Sequence, residues 1–194
     1  MKITNETISF TIKSICRHYV AAKNNFGFRL YIDDKPQPGL TAAGQMTERR
    51  SVSDDYVAKM LKNKIKSIGD VLAVADEDIK LCGATICKER IMAVMGGVEG
   101  EDWVHDSVTF YYNNIIELAH DYANLDDLCG QFVRHELRHA EQFTYLRQMG
   151  INPNYAMDQE NQTLYGEGPL EKDAYSIQHG ATTPIEEAMA CFFK

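Results

Sequence analysis

The sequence predicts an α+β fold: a small mixed sheet packed on a helix that carries His135-Glu136-x-x-His139, with a helical part after it. Three observations predict this. From about Leu125 to Met149, apolar residues recur at helical spacing around the two histidines. Val108-Thr109-Phe110-Tyr111-Tyr112, shortly before that helix, is rich in β-branched and aromatic residues and reads as a strand. Beyond Gly150, Gly- and Pro-containing stretches separate further helix signals. A chain of 194 residues with 44% apolar side chains can bury one good core. It reads as a single domain over 1–194, with 1–104 a loosely specified α/β part and 105–194 holding the histidine motif.

Taken in order, Ile8, Ile12, Ile15 and Tyr19 predict a helix over about 6–20, broken at Asn24-Asn25. Phe28 to Ile32 alternates like a strand, and Asp33-Asp34 with Pro36 and Pro38 ends it. Gly39 to Ser53 is polar without period and reads as a loop. Ser53 can cap a helix whose inner face is Tyr56, Val57, Met60, Leu61, Ile65 and Ile68, stopped by Gly69. Val71 to Ile86 is ambiguous. Ile91 to Met95 is a short apolar strand ahead of Gly96-Gly97. For the histidine helix, Asn124 reads as N-cap with Asp126 and Asp127 in the first turn, and Gly150 as the stop. Pro169 suits the first position of a helix running to Gln178, with Gly180 past its end. Thr183-Pro184-Ile185-Glu186 reads as a capping box opening a last helix.

A formal charge of −8 disfavours a generic nucleic-acid or anionic-membrane binder. No stretch approaches the length of a transmembrane helix, and the N-terminus lacks the apolar run of a signal peptide. The five cysteines, Cys16, Cys82, Cys87, Cys129 and Cys191, are odd in number and scattered, which fits reduced thiols in a cytoplasm. A metal site at Cys82 and Cys87 has little behind it. His18 and His120 read as structural or exposed; His105 stands near enough to the strand to reach a cleft.

On a helix, His135 and His139 are one turn apart, so both imidazoles point the same way. Two neutral imidazoles at that spacing can bind one Zn²⁺, and Glu136 can reach a metal-bound water without being a ligand. Plotted at about 100° per residue, Leu125, Leu128, Phe132, Val133, Leu137, Ala140, Phe143 and Leu146 fall on one arc with His135, Glu136 and His139. Asp127, Gln131, Arg134, Arg138, Glu141 and Gln142 fall on the opposite, polar arc.

A catalytic zinc needs a third protein ligand. Glu171 is one candidate, and the alternative is that it caps its own helix. Glu186, Glu187 and His179 are rivals. His135-Glu136-x-x-His139 followed by Pro169-Leu170-Glu171-x-Asp173-Ala174 resembles the small cytoplasmic gluzincin-type zinc metallopeptidases, including the IrrE/ImmA-like group found in phages and mobile elements. The resemblance covers at most 132–178. Tyr175 stands where the larger thermolysin-like enzymes keep an Asp, a departure that leaves the residue supporting the ligands open.

The resemblance implies a minimal zincin-like fold and a zinc cofactor held by His135, His139 and Glu171. It implies Asp173 behind the ligands, Glu136 as general base, and a peptide or protein substrate. Tyr175 or His179 can supply a second donor to the developing oxyanion. In zincins a strand before the metal helix forms the cleft edge, so Val108 to Tyr112 is expected to be an edge strand that pairs with substrate. The competing readings are a zincin-fold regulatory or binding protein with a retained metal site, and a DNA-associated SprT-like protease. The retained Glu136 argues against the first. The acidic balance and the lack of a Cys-rich zinc ribbon argue against the second.

Overall fold

Periodic apolar residues form helices near where the sequence predicts them, and the first is α1 (Asn5–Ala21). Thr4 Oγ1 accepts from Thr7 N at 3.2 Å and Thr7 Oγ1 from Thr4 N at 2.9 Å, so the two hydroxyls close its N-terminus reciprocally. The computed structural model describes residues 1–22, 28–33, 43–51, 91–94, 104–164 and 166–193. Of 28–33, 45–51, 91–94 and 104–109, and of Val20 and Asn161, only the backbone is described. The helix expected over 53–68, the stretch 71–86 and the Cys82/Cys87 pair lie outside the described residues. The chain divides into two units, Met1–Gly130 and Gln131–Lys194.

In the first unit, Ile12, Ile15, Cys16 and Tyr19 of α1 and Ile115 and Ile116 of α2 (Tyr112–Leu118) are buried. Leu125 and Cys129, at the start of α3 (Tyr122–Gln148), are buried as well. The Ser14 hydroxyl donates to Asp126 Oδ1, and Arg17 donates to the same oxygen at 3.1 Å. The cap of α3 is Asp121 rather than Asn124. Asp121 Oδ1 accepts from Asn124 N at 2.7 Å, while Asn124 Oδ1 accepts from His120 N at 3.2 Å. The helix therefore starts earlier than expected.

Four strand segments pair through their backbones in the order β2-β4-β1-β3: β1 (Phe28–Asp33), β2 (Gly44–Ser51), β3 (Ile91–Val94) and β4 (Val104–Tyr111). β4 runs parallel to β1, with Val108 opposite Leu30, and antiparallel to β2, with Val108 opposite Met46. It is paired on both sides, so the expected edge strand for substrate is absent and peptide addition along it is ruled out. Tyr112 opens α2 instead of closing the strand. The loop expected over 39–53 contains β2, whose Thr47-Glu48-Arg49-Arg50 centre has no apolar alternation to betray a strand.

The second unit holds the rest of α3, then α4 (Pro153–Asn161), α5 (Pro169–Gln178), the short α6 (Ile185–Ala188) and a 3₁₀ turn, Ala190–Phe193. Gly150, at φ 80°, stops α3 in a conformation that a side chain would strain. Its core is Val133, Leu137, Ala140, Phe143 and Leu146 of α3 with Ala156, Leu170, Ala174 and Met189. The capping box at Thr183 does not form. Pro184 is the N-cap, without a side-chain bond, and Thr183 O accepts from Arg138 Nη2 at 2.8 Å.

The predicted α+β fold, with its small mixed sheet packed on the active-site helix, is overturned. Residues with described side chains are 72% helix and 3% strand and contain no sheet. The physical reason lies in the core. Among the residues whose side chains are described, the buried apolar ones are stripes on helices, joined by Phe110 and Tyr111 at the end of β4. Among the described residues, no helix is long and apolar enough to cross a membrane.

Candidate metal centre

His135 and His139 lie one turn apart on α3 and are both buried, and their Nε2 atoms face each other at 3.2 Å. From α5, Glu171 brings Oε2 to 3.3 Å from His135 Nε2 and Oε1 to 3.4 Å from His139 Nε2. These three residues form the one group of metal-ligating side chains found among the described residues, with ligand atoms within 4.8 Å of one another. A tetrahedral centre with bonds of about 2.0–2.1 Å has vertices about 3.3 Å apart. The nitrogen–nitrogen distance matches that edge, and each imidazole meets a different Glu171 oxygen at a similar distance. Glu171 Oε2 and His135 Nδ1 are buried without a hydrogen-bond partner, so the approach of Oε2 to His135 is an ion-pair distance without hydrogen-bond geometry. A cation between the three would satisfy the carboxylate oxygen. The group can hold a metal ion.

The first turn of α5 is capped by a residue from another helix. Glu160, from α4, accepts from Leu170 N at 3.0 Å and from Glu171 N at 3.2 Å. A Glu at the third helical position that capped its own helix would instead bond the N–H of the N-cap, here Gly168. Gly168 makes room for Glu160, since a Cβ there would lie 2.1 Å from Glu160 Cδ. The Glu171 carboxylate lies against the imidazoles.

Behind the ligands runs a buried polar chain. His139 Nδ1 lies 2.8 Å from Gln142 Oε1, and Gln142 Nε2 donates to Leu170 O at 3.0 Å and Asp173 Oδ2 at 2.7 Å. Arg138 donates to both Asp173 oxygens, from Nε at 2.6 Å and Nη2 at 3.0 Å. Helical periodicity put Arg138 and Gln142 on the polar, outward arc, yet they are 5% and 0% exposed. The helical wheel misses them because α5 and the segment at Thr183 offer acceptors on that side. Only the expectation that Asp173 stands behind the ligands pointed to such a group.

Burial pushes the Glu171 carboxyl up, but the imidazoles of His135 and His139 outweigh it and hold it well below the usual carboxylate range. Burial pushes His139 down, and the Glu171 contact, the charges of Glu136 and Glu171, and Gln142 together raise it. Glu136 is itself buried and near enough to act on His139. Tyr175 packs edge-on against the His135 ring, centroids 4.9 Å apart, and is partly exposed.

The other candidates fall elsewhere. Glu186 and Glu187 are exposed on α6, and His179 is exposed at the C-terminal cap of α5. His18 approaches Asp126 at 3.5 Å in the first unit, and His120 is exposed beside Asp121. His105 lies in β4, where only the backbone is described. Comparison of the chain with family models, curated proteins and solved structures finds no match.

Proposed function

We propose that the chain is a zinc-dependent metallopeptidase of minimal zincin type, acting on a peptide or protein substrate. The observation that carries the reading is the convergence of the His135, His139 and Glu171 donors on one point, with the buried Glu136 carboxylate next to them in sequence. Two imidazoles and one carboxylate are a donor set of catalytic zinc sites that leaves a position for water. When bound, zinc lowers the pKa of a coordinated water toward about 7 and polarises a carbonyl.

The chain's own residues supply the rest. His135, His139 and Glu171 hold the ion. Glu136 takes the proton of the attacking water and delivers it to the leaving amine. Tyr175, partly exposed and against His135, is the proposed donor to the substrate oxygen as charge develops there. The setting we propose is the cytoplasm, which suits Cys16 and Cys129 as buried thiols.

The test is metal analysis joined to turnover of an unbiased fluorogenic peptide library. Wild type is expected to carry about one zinc per chain and His139→Ala to lose it. Glu136→Gln is expected to keep the zinc and lose about 10²–10⁴-fold in rate. Loss of zinc in Glu136→Gln would make Glu136 a ligand and sink the assignment of roles. A zinc-loaded wild type that cleaves nothing in the library would favour the binding-protein reading.

A further inference from the structure

We propose that Gln142 is a positioning residue: it locks His139 in the tautomer whose Nε2 lone pair faces the metal position, and Asp173 and Arg138 lock Gln142 in turn. This rests on reading the site as a zinc centre. An amide is two-faced, with an oxygen that only accepts and a nitrogen that only donates. Gln142 Nε2 lies against two acceptors, Leu170 O and Asp173 Oδ2, neither of which can donate when Asp173 is ionised. Its orientation is therefore set, and Oε1 is the atom that meets His139 Nδ1. An amide oxygen there requires the proton on Nδ1, which leaves Nε2 with a lone pair directed at His135 and Glu171. Asp173 cannot turn away to release the amide, because Arg138 grips both of its oxygens.

The arrangement treats the two histidines unequally. His139 arrives with its proton already placed, whereas His135 Nδ1 has no hydrogen-bond partner. A ligand so ordered loses less freedom on binding, and removing such support typically costs about 10–100-fold in metal affinity.

The experiment has two readouts on the full chain. Ring-nitrogen NMR of the metal-free wild type, at alkaline pH where the imidazole is neutral, reports the tautomer of His139 directly. Zinc affinity by chelator competition reports the consequence. His139 is expected as the Nδ1–H form in wild type. In Gln142→Leu it is expected to shift toward the Nε2–H form, with zinc bound about 10–100-fold more weakly. An Nε2–H form in the metal-free wild type overturns the proposal whether or not any variant folds. Weaker zinc binding in Gln142→Leu with the Nδ1–H form unchanged also overturns it, because it would reduce Gln142 to a tie between helices. Unchanged affinity in Gln142→Leu overturns it too. A wild type with the Nδ1–H form but no zinc affinity upholds the tautomer lock and refutes the zinc reading alone.

Discussion

Arg138 and Asp173 meet in a two-pronged, buried pair, Nε to Oδ2 at 2.6 Å and Nη2 to Oδ1 at 3.0 Å, that joins the histidine helix to the helix carrying Glu171. The side chains are 5% and 7% exposed. Arg138 also donates to Glu141 and to Thr183 O. Removing one partner leaves a buried charge uncompensated. Arg138→Met should therefore destabilise the chain by about 3–5 kcal/mol. The double variant Arg138→Met with Asp173→Leu should lose less than the sum of the two single changes. A denaturant double-mutant cycle checks this, and additive losses would mean the pair is not coupled.

The Glu160 cap makes a separate prediction. Glu160→Ala should cost about 1 kcal/mol through the lost bonds to Leu170 N and Glu171 N. Gly168→Ala should have a similar effect, because the new Cβ displaces the same carboxylate. In the Glu160→Ala background most of the Gly168→Ala effect should vanish. Thermal unfolding of the four proteins measures it, and independent effects would count against the steric link.

Thiol reactivity should separate the described cysteines. Burial pushes the Cys16 and Cys129 thiols up to about 12. Cys191 is exposed. Near neutral pH, alkylation of Cys16 and Cys129 should run about 10³-fold slower than at an ordinary thiol, since only the thiolate reacts. Peptide mass spectrometry after timed alkylation gives the order, with Cys191 first and the difference erased in denaturant. Early labelling of Cys16 would contradict the burial.

Stability of the first unit should carry an acid limb from Asp126. Burial pushes this carboxyl up, but the Ser14 hydroxyl, His18 and Arg17 together outweigh it and lower it from its ordinary value of 3.8. A group depressed on folding stabilises above its unfolded value and loses that contribution as pH falls through the folded one. Asp126→Asn should therefore be less stable than wild type at pH 6, with the gap closing below about pH 4. The side chain is 41% exposed, so the gap should also shrink in salt. A gap that stays constant down to pH 2 would remove Asp126 from the acid limb.

What the sequence by itself determined is local and periodic. The spacing of His135 and His139 placed two imidazoles on one face of a helix, and their company of Val133, Leu137, Ala140 and Phe143 marked that face as buried. Pro169 and Gly150 marked where helices begin and stop. Tertiary structure alone decided the rest, because each decision needed a partner distant along the chain. Whether Glu171 faced the imidazoles depended on how α5 packs against α3, which its own residues do not specify. Arg138 and Gln142 came inside only because α5 and Thr183 supply acceptors for them. The pairing of β4 on both sides was equally invisible in its own residues. β-propensity reports a residue's fit to a strand, whereas the number of neighbours is set by segments such as Phe28–Asp33 and Gly44–Ser51 far upstream.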